Sequence, residues 1–288
     1  MPTLEAKDTL FSTKTTLNCR GKLLPLEAPL VMGILNVTPD SFYAGSRLPS
    51  VEAVLQQAEA MLTDGADILD LGGYSSRPGA TDIPVQEELD RVVPAVEAII
   101  KKFPEAVVSV DTFRADVAAA AVSAGAAMVN DISGGNLDHE MFETVAKLQV
   151  PYILMHMRGT PQTMTTLAKY EDLVVEVVDE LQGAVARLKQ LGVKDIILDP
   201  GFGFAKTVEH NFELLRRLEA LHIFELPILA GLSRKSMVYK TLGVAQADAL
   251  TGTIALNMVA LMKGAAILRV HDVKETKQTV ELYKKTTL

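Results

Sequence analysis

Eight short apolar segments, each running into polar residues at its C-terminal end, punctuate the chain: Leu30 to Leu35, Ile68 to Leu71, Val107 to Val110, Ala126 to Val129, Tyr152 to Met155, Ile196 to Leu198, Pro227 to Leu229 and Ala265 to Val270. Runs this short read as buried strands, and the stretches between them carry apolar residues at helical spacing. Val54, Leu55, Ala58, Met61 and Leu62 make one such face, stopped by Gly65; Leu173, Val177, Leu181, Val185 and Leu188 make another, stopped by Gly192. Strand then helix, repeated eight times with no low-complexity linker, predicts an α/β protein: a (β/α)8 TIM barrel occupying residues 1–288 as a single domain. Residues 1–28 precede the repeat. Within them Thr16 to Leu26, centred on Arg20 and Gly21, predicts a β-hairpin that closes the lower end of the barrel, and Asp272 to about Lys285 supplies the last helix of the ring.

Composition agrees with that architecture. Hydrophobic residues are 48% of the chain and aromatics only 5%, with no Trp, so the core is aliphatic, as parallel strands covered by helices require. A formal net charge of -8 argues against a nucleic-acid partner, which would ask for a basic face. The one cysteine, Cys19, cannot close an intrachain disulfide, and Met1 to Leu17 lacks a charged start followed by an apolar signal core, so a reduced, cytoplasmic protein is expected. No apolar run reaches the roughly 18 to 20 residues that cross a bilayer.

In such a barrel the chemistry sits at the C-terminal ends of the strands. The polar residues there are Asn36, Asp70, Asp111, Asn130, Asp131, His156, Asp199, Lys235, Arg269 and His271. Strand-end acids also cap the loops that follow them, and that structural role is the expectation for Asp70 and Asp131. Asp111 reads as a clamp for a heterocycle carrying adjacent N–H groups. Lys235 follows an enclosed strand and needs a partner there, either a ligand atom or an internal acid such as Asp199. Arg269 and His271 stand on one face of the last strand, where an anion pincer would lie in this fold. His156, between Met155 and Met157, reads as packed or loop-bonded. Two loops, from Asn36 to Pro49 and from Gly72 to Pro84, mix Gly, Pro and Ser with aromatics and have the character of lids; Arg77 in the second could clamp an anion from above. No zinc pattern, phosphate-binding GxxxxGK[ST] or nucleophile elbow is present, so covalent catalysis is not expected. A hard divalent cation, Mg2+, could be held by one side chain and phosphate oxygens, with Asn36 the candidate.

The strings themselves resemble the dihydropteroate synthase family of pterin-binding barrels. The resemblance runs in register from about Leu30 to Lys274, through Met32 to Phe42, Ser76 to Gly79, Ser109 to Thr112, Val129 to Gly135, Met155 to Met164, Asp199-Pro-Gly-Phe-Gly-Phe204, Gly231-Leu-Ser-Arg-Lys235 and Arg269-Val-His271. It implies that hydroxymethyl-dihydropterin diphosphate is joined to para-aminobenzoate with loss of pyrophosphate. It further implies that the pterin lies against Asp111, Asn130, Met155, Asp199, Gly231 and Lys235, with Asp111, Asp199 and Lys235 carrying the catalysis. The diphosphate would meet Asn36, Ser76, Arg77, Arg269 and His271, with Mg2+ at Asn36, and para-aminobenzoate would meet Pro78, Phe204, Ser233 and Lys235. A homodimer through late helices such as Ala255 to Met262, and sensitivity to sulfonamides, are implied as well. The chain departs from the family pattern at Tyr74, where an acid is usual, at Ser76, and after Phe42. Competing readings are a pterin-dependent methyltransferase on the same barrel, which would not need the diphosphate residues, and a non-catalytic pterin-binding paralogue, which would tolerate losing several strand-end residues.

Overall fold

The computed structural model describes residues 15–37, 51–75 and 82–287. Strands β1 (Thr16–Cys19) and β2 (Lys22–Pro25) pair as an antiparallel hairpin turning at Arg20 and Gly21. The next eight are parallel: β3 (Leu30–Asn36), β4 (Ile68–Gly72), β5 (Val108–Asp111), β6 (Met128–Asp131), β7 (Tyr152–Met155), β8 (Ile196–Asp199), β9 (Leu229–Ala230) and β10 (Ile267–Val270). Their order in the sheet is β8-β7-β6-β5-β4-β3-β10-β9, and a parallel bridge from Leu198 to Ile228 joins its two ends into a barrel. Outside lie α1 (Val51–Thr63), α2 (Val85–Lys102), α3 (Ala115–Ala124), α4 (Met141–Leu148), α5 (Leu173–Gln190), α6 (Val208–Arg216), α7 (Ser236–Leu242), α8 (Leu250–Met262) and α9 (Val273–Thr287). The expected (β/α)8 barrel is therefore the observed one. The strands reach past their apolar runs, because the polar residues Asn36, Asp111, Asn130 and Asp199 are themselves paired in the sheet.

Side chains alternate across each strand, and both faces are buried. Val31, Leu35, Leu69, Leu71, Val108, Val110, Val129, Tyr152, Leu154, Leu198 and Leu268 point outward into the layer packed against the helices. Leu30, Met32, Ile68, Val107, Met128, Ile153, Ile197, Leu229 and Ile267 point inward and fill the lower barrel. The hairpin completes that lower layer: Leu17 and Cys19 are buried in it, with Leu24 and Leu26 packed alongside. Hydrogen bonds from Arg20 Nη1 to Val122 O (2.7 Å) and from Asn18 N to Asp195 Oδ2 (3.3 Å) tie the plug to the barrel wall. Burial there pushes the Cys19 thiol up to about 12, leaving it without thiolate character at neutral pH. Among the described residues no helix is long and apolar enough to cross a membrane.

Candidate active site

Continuing each inward face one step beyond the apolar layer gives Asn36, Asp70, Gly72, Asp111, Asn130, Met155, Asp199, Gly231 and Arg269. These residues share the upper barrel interior because each stands an even number of positions from an inward apolar residue. Arg269 links the acids: its Nε donates to Asp70 Oδ2 at 2.6 Å and its Nη2 to Asp111 Oδ2 at 2.5 Å. Asn130 Nδ2 donates to the same Asp70 oxygen at 2.9 Å. Asn36 Oδ1 and Asp111 both lie beside Gly72, within 3.4 to 3.7 Å of where a Cβ on that glycine would sit. Asp70 was expected to cap a loop. Its carboxylate instead enters the barrel, since it stands on the inward face two residues after Ile68.

The opposite side of the mouth is built by the loops after β8 and β9. Asp199 Oδ1 accepts the Gly201 N–H at 2.7 Å, which folds the Asp199 to Phe204 loop back over the barrel. Gly201 has φ +71° and a Cβ there would fall 2.0 Å from His156 O, so the turn admits no side chain. The loop offers the Phe202 carbonyl to Lys235 Nζ and lays the Phe204 ring against the same ammonium, 4.9 Å from Nζ to the ring centroid. A Cβ at Gly231 would lie 3.7 Å from Lys235 Nζ and 4.0 Å from Asp199 Oδ2, which places this glycine between the two charged groups. Ser233 Oγ accepts the His271 backbone N–H at 3.1 Å and contacts His271 Nδ1 at 3.0 Å, joining the β9 loop to the end of β10. Met155 joins Ile132, Met157, Met164, Ala205, Phe113, Leu137 and Phe204 in an apolar cluster beside the polar cup.

Burial dominates the electrostatics. It raises the Asp111 carboxyl to about 7 against the pull of Arg269, and raises Asp199 against the pull of Lys235. It lowers Lys235 to about 8, with Asp199 opposing. Burial also disfavours the Arg269 charge, but Asp70 and Asp111 outweigh it and keep the guanidinium protonated. The result is a cup of closely spaced charges from which an anion, a heterocycle with N–H groups and an aromatic amine could each draw a partner.

Two polar strand-end residues lie on the other face. Asp131 points outward, accepting from the Tyr152 hydroxyl at 2.7 Å and from Ser133 N and Gly135 N, the loop-holding role expected of it. His156 is loop-bonded, as its sequence context suggests: Nε2 meets Glu180 Oε2 at 3.0 Å and Nδ1 meets Lys206 Nζ at 2.9 Å. Lys206, absent from the sequence-derived candidates, also donates to Gly201 O and Phe204 O, both at 3.1 Å, and so braces the loop that carries Phe204. Glu88 on α2, equally unanticipated, is buried and accepts from Thr112 Oγ1 at 2.6 Å and Arg114 Nη1 at 2.8 Å. Lys206 lies in the loop after β8 and Glu88 on α2, and only their contacts reveal them as buried.

Ser76, Arg77 and Pro78 lie outside the described residues, as do residues 38–49 of the first expected lid and 76–81 of the second. Tyr74 is described. Its ring packs edge-on to Phe113 with centroids 4.9 Å apart, Arg114 lies 5.3 Å from its centroid, and Gln162 Nε2 reaches its hydroxyl at 3.3 Å. The departure at this position thus packs Tyr74 against residues of the neighbouring loops.

Comparison with known proteins gives a consistent result. Residues 32–271 match the pterin binding enzyme family. The dihydropteroate synthase of Escherichia coli K12 is 44% identical over 269 residues, covering 93% of this chain and 95% of that protein. Among solved structures, the Yersinia pestis dihydropteroate synthase in a sulfonamide drug complex superposes with a TM-score of 0.89 at 44% identity, covering 94% of this chain and 98% of that one. The Xanthomonas albilineans dihydropteroate synthase with 4-aminobenzoic acid superposes with a TM-score of 0.89 at 39% identity, covering 95% and 98%.

Proposed function

The chain belongs to the pterin-binding enzyme family, among its dihydropteroate synthases, and from that premise we propose how its barrel mouth joins hydroxymethyl-dihydropterin diphosphate to para-aminobenzoate, releasing pyrophosphate and forming dihydropteroate. The observation that carries the assignment of roles is the meeting of Asp111, Asn130, Asp199, Lys235 and Arg269 in one cup. Asp111, Asn130 and Asp199 offer acceptors to the N–H edge of a pterin, Met155 and Gly231 bound its faces, and Lys235 donates to the ring's acceptor atoms. Arg269 and His271, with Ser76 and Arg77 from the second loop, take the diphosphate. Phe204, Ser233 and Pro78 place para-aminobenzoate, an aromatic carboxylate whose ring the apolar cluster at the mouth suits.

No protein nucleophile is needed. Breaking of the C–O bond to pyrophosphate leaves a delocalised pterin cation, which the buried Asp111 and Asp199 carboxylates stabilise; the aniline nitrogen attacks it and then gives up a proton to solvent. The described residues contain no group of three or more metal-ligating side chains, so Mg2+ would arrive with the diphosphate. The neutral Asn36 Oδ1 at the rim of the cup fits a hard, largely hydrated cation. When bound, Mg2+ would neutralise charge on the leaving group. The same reading makes the protein a cytoplasmic homodimer and a sulfonamide target, the last because the Yersinia pestis relative is solved in a sulfonamide drug complex.

The test is pyrophosphate release from purified protein with Mg2+, pterin diphosphate and para-aminobenzoate, each omitted in turn. Sustained release that needs both substrates, yields dihydropteroate and is blocked by a sulfonamide is expected. Binding of the pterin without turnover would overturn it in favour of a non-catalytic paralogue, and binding of methyl-tetrahydrofolate in its place would favour the methyltransferase.

A further inference from the structure

We propose that Asp70 is a positioning residue that orients both Asn130 and Arg269, so that the heterocyclic and anionic halves of one ligand are set by a single carboxylate. The inference deepens the reading above and rests on it. Asp70 is fully buried on the inward face of β4, and one oxygen, Oδ2, accepts from Asn130 Nδ2 at 2.9 Å and Arg269 Nε at 2.6 Å. Those two donors belong to residues with different tasks, the amide facing the pterin and the guanidinium facing the diphosphate.

For Asn130 the consequence is the direction of its amide. A carboxylate only accepts, so the end of Asn130 turned to Asp70 is its nitrogen. The remaining amide hydrogen and Oδ1 are then presented to the ligand in a fixed order. Without the carboxylate an amide can turn over, and the reversed order would set donor against donor along a pterin edge.

For Arg269 the consequence is the plane of the guanidinium. Holding Nε fixes the rigid fork, leaving the Nη2 contact with Asp111 as the one a ligand exchanges when its own N–H groups take that carboxylate. The Asp70 contact then keeps the freed arm at the mouth. The pairing with Arg269 compensates a buried guanidinium, yet it leaves part of the Asp70 carboxylate unused. Among the described residues its second oxygen, Oδ1, is buried with no protein partner, as is the hydroxyl of Ser109, its neighbour in the sheet register, and buried unpaired acceptors cost folding energy.

Asp70→Asn keeps the volume of the side chain and replaces one acceptor oxygen by an amide donor, and its two arms can be read separately by calorimetric titration. The ligands are 6-hydroxymethylpterin, which has no phosphate, and inorganic pyrophosphate with Mg2+. Loss of a charge-assisted hydrogen bond predicts about 10- to 100-fold weaker binding of each. In turnover the KM for pterin diphosphate is expected to rise while that for para-aminobenzoate stays at the wild-type value. Wild-type binding of both ligands by a folded Asp70→Asn variant overturns the positioning role. An equal rise in both KM values overturns it too, by showing a general loosening of the barrel. Should Asp70→Asn not fold, Asp70→Ser removes the carboxylate without adding an amide donor and is read by the same two titrations. Weaker binding of both ligands supports the proposal, and wild-type binding of either counts against it. A wild-type protein that binds neither ligand would sink the functional reading itself, which the wild-type titrations test separately.

Discussion

At the residue scale, the polar ends of the apolar runs were legible in the sequence, but their direction was not. Asp70 and Asp131 look alike there, each an acid closing an apolar run, yet one enters the barrel and the other holds a loop behind it. Strands buried on both faces are apolar on both faces, so the pattern carries no mark of which parity points inward. The inward parity also brings together two groups whose ordinary protonation is disturbed in opposite senses. Asp111 must be ionised to accept pterin N–H groups, and burial raises it to about 7; Lys235 must be protonated to donate, and burial lowers it to about 8. The competent fraction therefore rises as pH climbs through about 7 and falls as pH climbs beyond about 8. kcat/KM for pterin diphosphate is expected to trace a narrow bell between those values. Lys235→Met is expected to remove the alkaline limb and lower kcat/KM by about 100-fold. A profile flat from about pH 6 to about 9, or an alkaline limb that persists in the variant, would contradict these protonation roles.

At the scale of elements, strand and helix order was readable because the apolar runs are short and the helical faces are periodic, and Gly65 and Gly192, both at positive φ, stop their helices where expected. The strand ends were set less well. Pairing continues into polar residues at β3, β5, β6 and β8, while β9 keeps only Leu229 and Ala230. The hairpin was readable from Arg20 and Gly21 lying between two short extended segments, and its packing gives it a measurable task. Leu17 is fully buried in the lower barrel layer, at the end opposite the cup. Leu17→Ala is expected to cost about 3 kcal/mol of stability, seen as a lower denaturation midpoint, from lost burial and the cavity left behind. Substrate KM values at 25 °C should stay at wild-type level while the protein remains folded. A selective loss of pterin affinity with little change in midpoint would mean that the plug shapes the cup rather than merely closing the barrel.

At the scale of the whole molecule, the remaining question is what lies against α8. Its sequence, apolar nearly all round, leaves open whether the helix is buried in its own barrel or pairs with a second chain, and the structure leaves part of that apolar surface exposed. The side turned to the barrel includes Thr253, which accepts the Arg234 N–H at 3.0 Å, and Asn257, which donates to Thr276 Oγ1 at 3.5 Å. The outer side carries Ala255, Val259 and Met262, the last two 39% and 58% exposed, and neighbouring α9 adds Leu282 at 64%. The inward side mixes these polar groups with the buried Ala260 and Leu261, while Val259 and Met262 leave aliphatic surface on the outside, unlike a helix whose outer face is polar towards water. Contiguous apolar surface of this kind is a common mark of a protein interface, which supports the proposed homodimer. Light scattering is expected to give twice the mass of one chain, with a thermal midpoint that rises with protein concentration. Val259→Lys together with Met262→Glu is expected to yield the single-chain mass and to abolish that concentration dependence. A wild-type protein that runs at the single-chain mass at every concentration would remove the dimer, and a double variant that still pairs would move the interface off α8.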